Sequence, residues 1–337
     1  MKTSPKIPQQ QPAIHSRPDP IAASTASLRP RAFKLGALVV GLAACATPLH
    51  GSSDLWDLGP PVPDAERAYP PQGMCVAPGG TVYFTNHLHD RSSHLYRLSG
   101  SLLVEARSTW SAKHPGGLAA DAAGGLWAVD YRDNSIYVID IDRSFAGSME
   151  VVTRRTIKTG LGSASAITWV TRQAGPGVEP QSFLALSEFS LGNPAGSRTF
   201  LVAEDRIAEL AYREPVKASH TSYRNGGYSQ GLASDGRFMY ESTSPLGPDR
   251  IDVYDTVAPP HRGQSRLGLR HVGGFAAPGN CVEQLAVDAE RDRLIVSDEC
   301  TFQFFTVPLS IIQRKFTSGQ WAAGGGEPMT SPPVVPK

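Results

Sequence analysis

Six side chains in this sequence could gather into an oxygen-rich site. Asn86, Asp130, Glu188, Glu241 and Asp298 each close a short apolar stretch: "VYFTN", "LWAVD", "FLALSE", "FMYE" and "LIVSD". Glu283 opens another, "EQLAVD". Brought to one point, these carboxylates and amides would suit Ca²⁺ or another divalent cation, which takes roughly six to eight oxygens. A metal held there would polarise a carbonyl or activate water. A competing expectation is structural. Short Asp and Asn side chains at a strand end readily bond the backbone of the next loop. Asp130, followed by Asn134, has that form.

"NHLHDRSSH", Asn86 to His94, is a second cluster. His87, His89 and Asp90 could bind zinc. No fourth ligand is evident, so a solvated or ligand-contacting loop is the stronger expectation. Nucleophile and phosphate motifs are absent. No Gly-x-Ser-x-Gly elbow occurs, and "GLGSAS" from Gly160 lacks the lysine a phosphate loop needs. Apart from Cys45, the cysteines are Cys75, Cys281 and Cys300. Folding the last repeat about "ERDR" brings Cys281 opposite Cys300, a disulfide suited to an exported protein. Cys75 could replace either partner.

The elements that must position these residues are short strands. First strands align as "QGMCVA", "GGLAAD", "SAITWV", "QGLASD" and "EQLAVD"; third strands follow each second strand, from "HLYRLSG" to "FQFFTVP". Fourth strands are visible in four copies as "LLVEARS", "VVTRRTI", "IAELAYR" and "RLGLRHV". The stretches alternate with period two or are short apolar runs, with Gly, Pro, Asp or Asn at the turns. A repeat of roughly 50 residues is the size of a propeller blade. The expectation is an all-β protein, a β-propeller of five visible four-stranded blades. Six is the alternative, because the interval from Ser165 to Gln230 is the longest. The fifth copy lacks a fourth strand, and "SDLWDL" near the N-terminus could supply it and close the ring. In a propeller the second strands end at one mouth of the central channel, where the acids would meet.

Charge and the two ends bound the rest. The formal net charge is +1. Residues 1–44 hold Lys2, Lys6, Arg17, Arg29, Arg31 and Lys34 against Asp19, so the remainder is mildly acidic. No basic cluster suits nucleic acid. "LGALVVGLAA", Leu35 to Ala44, is too short to span a bilayer but fits a signal-peptide core. "LAAC", Leu42 to Cys45, resembles the bacterial lipobox. That resemblance implies cleavage before Cys45, diacylglycerol on its sulfur and anchoring in the lipid bilayer of the cell envelope, with Ala46 favouring the outer membrane. The expected organisation is a lipoprotein signal peptide at 1–44, lipidated Cys45 and a Pro-rich tether over 45–71, the propeller over 72–316, and a disordered tail over 317–337.

The second copy, "PGGLAADAAGGLWAVDYRDNSIYVID" from Pro115, resembles the NHL repeat and the wider SMP-30/gluconolactonase-like propellers. The resemblance covers most of Gln72 to Ser310. It implies fold more than function, since such propellers include enzymes, ligand binders and scaffolds. In the enzymes a Glu opening an innermost strand holds a divalent metal. That position carries Glu283 in the last copy and Gln72 in the first. The implied ligands are Glu283 and Asp298, with Asn86 or Asp130. Most relatives have six blades, and the count of five departs from them. The leading functional expectation is a membrane-anchored binding module for a small molecule, glycan or envelope protein. The alternative is a metal-dependent lactonase or lyase. A third is a glycoside-cleaving propeller using two of Asp130, Glu188 and Glu241 across a groove.

Overall fold

The computed structural model describes residues 55–63, 71–86, 93–161, 163–173, 177–188, 198–209, 220–221, 228–244, 250–257, 269–279 and 281–318. All lie in the second of two compact units, Pro48–Lys337. Cys45, the signal-peptide stretch, His87, His89, Asp90 and most of the C-terminal tail fall outside the described residues.

Twenty strands form five four-stranded antiparallel sheets, which are the blades of a propeller. Blade 1 is β2 (Pro71–Val76), β3 (Val82–Asn86), β4 (Ser93–Leu98) and β5 (Val104–Trp110). Blade 2 is β6 (Pro115–Ala120), β7 (Leu126–Asp130), β8 (Ser135–Asp140) and β9 (Val152–Lys158). Blade 3 is β10 (Ala164–Arg172), β11 (Gln181–Glu188), β12 (Arg198–Ala203) and β13 (His220–Thr221). Blade 4 is β14 (Tyr228–Ser234), β15 (Phe238–Ser244), β16 (Arg250–Asp255) and β17 (Arg270–Ala276). Blade 5 joins β18 (Val282–Asp288), β19 (Arg293–Asp298) and β20 (Gln303–Pro308) to β1 (Asp57–Pro61).

The ring is therefore latched by the N-terminal strand. Asp57 lies opposite Thr306 and Leu58 opposite Phe305. Leu55 and Trp56, just before β1, pack against the seam between blades 4 and 5, with the Trp56 ring stacked on Phe275. The propeller thus reaches back into the stretch expected to be tether. A correction concerns blade 3. Ile207–Glu209, the described part of "IAELAYR", lie in a 3₁₀ helix spanning Glu204–Glu209, and the short β13 pairs with β12 at the edge. Acidic residues at a helix start and a helix-tolerant "RIAE" win locally over a weak period-two pattern.

Each blade turns one face to each neighbour, and the core is divided accordingly. Five apolar clusters fill five seams. Phe84, Tyr96 and Met74 of blade 1 meet Phe304 and Ile295 of blade 5. Leu118 and Ala128 of blade 2 meet Leu95 and Trp110 of blade 1. Trp127 of blade 2 packs edge-on against Trp169 of blade 3. Val170 and Leu201 of blade 3 meet Met239 and Tyr254 of blade 4. Tyr240 and Phe275 of blade 4 meet Val296 of blade 5, under α2 (Leu309–Thr317). Burying a side chain of this size contributes about 2–3 kcal/mol, so both faces of every blade must stay apolar.

The innermost strands β2, β6, β10, β14 and β18 line the axis and come very close. A Cβ on Gly231 would stand 2.8 Å from Gln284 Cα in the next blade, and one on Gly73 would collide with the Gly116 carbonyl. Glycine serves here because backbone must meet backbone. Each inner pair also slips register once, at one equivalent place: between Pro71 and Met74, Pro115 and Leu118, Ala164 and Ala166, Ser229 and Gly231, Val282 and Gln284. Such a bulge leaves one residue outside the ladder. The bulges lie at Gln72–Gly73, Gly116–Gly117, Ser165, Gln230 and Glu283. Hydroxyls support them: Gly73 N–H donates to Thr85 Oγ1 at 2.7 Å and Gln284 N–H to Ser297 Oγ at 3.3 Å.

Candidate functional site: the upper mouth of the channel

The upper mouth is the end where the second strands finish. The residue paired with the one before each bulge is Asn86, Asp130, Glu188, Thr243 and Asp298 in turn. Four expected residues therefore occupy equivalent places on four blades. Glu241 does not. It lies two positions down the strand, opposite Leu232, because β15 runs on to Ser244. Its Oε1 accepts from Thr199 Oγ1 at 3.0 Å, so it is buried in the seam between blades 3 and 4.

Asp130 is wholly buried and accepts four backbone N–H groups. Oδ2 takes those of Lys113 and His114 at 3.0 and 3.1 Å; Oδ1 takes those of Arg132 and Asp133 at 2.8 and 3.1 Å. One carboxylate thus ties the loop entering blade 2 to the loop leaving β7. Asp298 repeats the design. Oδ2 accepts from Cys281 N–H at 2.9 Å, and Oδ1 accepts from the Thr301 N–H and hydroxyl at 2.6 and 2.8 Å. A disulfide joins Cys281 to Cys300 across the same two loops. Cys75 is a free thiol buried in the blade 1–2 seam, and burial pushes its pKa up.

Asn86 bridges its own hairpin, accepting from His94 N–H at 3.2 Å and donating to Tyr96 Oη at 3.2 Å. Glu188 is held by Arg198, with Nε at 2.8 Å and Nη2 at 2.5 Å. Glu283 sits at the blade 5 bulge, buried, and its carbonyl accepts from Ser242 Oγ at 3.4 Å. Asn86, Asp130, Glu188, Glu241 and Asp298 thus bind within their own blades or seams instead of converging. Among the described residues, no group of three or more His, Cys, Asp or Glu is set to hold a metal ion. The residues present do not fit the divalent site that the family resemblance implies.

The bulges place Gln72, Gly116, Ser165, Gln230 and Glu283 at equivalent positions of the innermost strands. Side chain and backbone link these strands across blades. Ser165 Oγ donates to the Ser229 carbonyl at 3.0 Å, and Gln284 Nε2 to the Gln230 carbonyl. Two amides, a hydroxyl and a single carboxylate can hydrogen-bond a polar ligand. They lack the second acid that general acid–base work on a glycoside needs. A bulge cannot be read from apolar periodicity, and only the aligned "QG", "GG", "QG" starts hinted at it.

The lower mouth holds a feature that sequence reasoning missed. A cleft of about 270 Å³ lies between blades 5, 1 and 2, floored by Val76, Ala120 and Val287. Beside it, the buried Asp288 accepts from Arg293 Nε and Nη2 at 3.0 and 2.9 Å and from Arg291 Nη1 at 3.1 Å. The two arginines continue into blade 1, donating to the Gly80 and Gly100 carbonyls. One carboxylate and two guanidiniums clamp the closing seam. Asp121 and Asp235 brace other lower turns: Asp121 accepts from Gly125 N–H at 2.7 Å and Trp127 Nε1 at 2.9 Å, and Asp235 from Phe238 N–H and Tyr240 Oη at 2.6 Å each. Burial, with Asp235 beside it, pushes the Tyr240 pKa up.

No family model matches the chain, and no curated protein matches it. Solved structures of similar fold include the Dos1 propeller, at 12% identity and TM-score 0.38, over 68% of this chain and 53% of that one. The chain thus spans about half the length of that relative. The glutaminyl cyclase of Myxococcus xanthus matches at 13% identity and TM-score 0.46, over 74% of this chain and 93% of that one. A gluconolactonase of Xanthomonas campestris matches at 14% identity and TM-score 0.41, over 71% and 86%. The five four-stranded sheets formed by the described residues make this chain a five-bladed β-propeller.

Proposed function

We propose that the protein is an exported propeller, anchored to a bacterial envelope membrane through acylated Cys45, and that it binds a ligand or partner without transforming it. The observation that carries this reading is the use made of Asp130 and Asp298. Their oxygens are taken up by loop N–H groups, so these acids serve as scaffold. What remains at the upper mouth is a hydrogen-bonding rim of Gln72, Ser165, Gln230 and Glu283, suited to a polar small molecule, a glycan or an envelope protein. The apolar run before "LAAC" and the Cys281–Cys300 disulfide support export. The outer membrane is the favoured destination, and nothing in the charge distribution suits nucleic acid.

A divalent-metal lactonase or lyase is the second reading, favoured by the buried Glu283 near the axis. Metal content and lactone hydrolysis are measured for the full chain and for a Glu283→Gln, Asp298→Asn variant. No stoichiometric metal and no hydrolysis in either is expected. Metal near one per chain, lost in the variant, would overturn the binding-module reading. Incorporation of labelled palmitate into the full chain, abolished by Cys45→Ala, tests the anchor independently.

A further inference from the structure

Blade 3 departs from the others at its lower end. Its inner strand β10 has 9 residues, against 6 in β2 and β6 and 7 in β14 and β18. From their bulges, β2 ends at Val76, β6 at Ala120 and β14 at Ser234, four positions on, whereas β10 continues from Ser165 to Arg172. Strand alternation sets Arg172 on the same face as Val170, which packs in the seam with blade 4. Arg172 is only 5% exposed, yet its Nε has no hydrogen-bond partner. No carboxylate among the described residues pairs with its guanidinium.

That is an anomaly in chemical terms. Among the other charged side chains buried in the blades, Asp288, Asp298 and Asp252 stand in bonded networks. A guanidinium keeps its proton in any protein setting, so it cannot shed its charge to escape a poorly solvated place. A desolvated, unpaired cation is costly to a fold unless an anion meets it. Thr171 and residues 177–180, its neighbours along the same hairpin, are exposed.

We propose that Arg172 is the recognition residue of a second site, at the lower end of the seam between blades 3 and 4, which takes a small monocarboxylate. A carboxylate can accept two parallel hydrogen bonds from the two Nη groups of a guanidinium. One cation balances one negative charge, which selects a carboxylate over a doubly charged phosphate or sulfate.

The test follows thermal unfolding of the full chain in sodium acetate, sodium sulfate and sodium chloride at matched ionic strength, for the wild type, Arg172→Met and Arg172→Lys. Acetate is expected to raise the wild-type Tm by about 2 °C over chloride, the size of a modest binding linkage in a chain of this length. Arg172→Met, which keeps the apolar stem, should unfold in chloride no earlier than the wild type and lose the acetate effect. Arg172→Lys should need at least about tenfold more acetate, because the fork is gone. An acetate effect equal in the wild type and Arg172→Met, or absent from both, would overturn the assignment. So would a sulfate effect as large as that of acetate, or a chloride Tm for both Arg172→Met and Arg172→Gln well below the wild type, which would make the guanidinium a structural group.

Discussion

Asp298 accepts the backbone N–H of Cys281 at 2.9 Å, one residue before the strand that pairs with its own. Asp130 does the same for His114, the residue before Pro115. In both blades an acid at the end of the second strand fixes the chain entering the first. Replacing Asp130 by Ala removes the acceptor of four part-buried N–H groups, and hydrogen bonds to a charged acceptor each contribute about 1.5–3 kcal/mol. Asp130→Ala is therefore expected to lower stability by roughly 3 kcal/mol or more, and Asp298→Ala by somewhat less because the disulfide still joins its loops. Urea unfolding checks both. A loss below about 0.5 kcal/mol for Asp130→Ala would return that residue to the pool of ligand candidates.

This division between structural and available acids marks the limit of what the sequence discloses. The blades, their number and the closing strand were legible because period-two patterning and glycine turns are local signals. Asp130 as a loop tie was legible too, since an Asx bond spans only a few residues. Glu241 was misaligned because a strand-end position depends on the register of β15 against β14, and no apolar residue marks where β15 stops. The Asp288 clamp was invisible for a different reason: its arginines reach Gly80 and Gly100, roughly 200 residues away along the chain.

The clamp at the closing seam makes a sharp prediction. Removing one partner of a buried ion pair leaves a charge stranded, which costs about 3–5 kcal/mol. Asp288→Ala should lose that much, while Asp288→Ala combined with Arg293→Met should recover part of it. A double-mutant cycle by thermal or urea unfolding reads the coupling. Additive losses would show that the two side chains act independently.

Closure itself can be probed at β1. A chain lacking residues 1–61 would expose the edge of β20 and uncover Phe275, against which Trp56 is stacked. Such a chain is expected to associate at micromolar concentration, seen by light scattering, because open strand edges pair with one another. A monodisperse monomer of unchanged Tm would mean that the ring does not need its latch.

Acid sensitivity should localise to the seam between blades 3 and 4. Asp252 is 2% exposed, opposite Glu241 in register, and bonded to Arg250 Nε at 2.9 Å and His271 Nε2 at 3.1 Å. Burial works to raise its pKa, but His271 and Arg250 outweigh it and hold the carboxyl below its usual range. Its folded value is thus lower than its unfolded one, near about 3.9. The stabilisation is complete above that pH and is lost as pH falls through the folded value. Asp252→Asn should be less stable at pH 7 and show a shallower fall in Tm below about pH 4. An unchanged acid limb would assign the sensitivity to another carboxylate.

The five bulges carry a consequence for which residues at the upper mouth can change. At most other inner-strand positions the side chain is buried in one seam or the other, and altering it disturbs packing. The bulge residue is released from that duty, and the five copies already hold Gln, Gly, Ser, Gln and Glu there. The upper mouth is thus a dial with three settings, at Gln72, Gln230 and Glu283, because a Cβ at Gly116 would stand 2.5 Å from the Ser165 carbonyl and the Ser165 hydroxyl already ties blade 3 to Ser229 of blade 4.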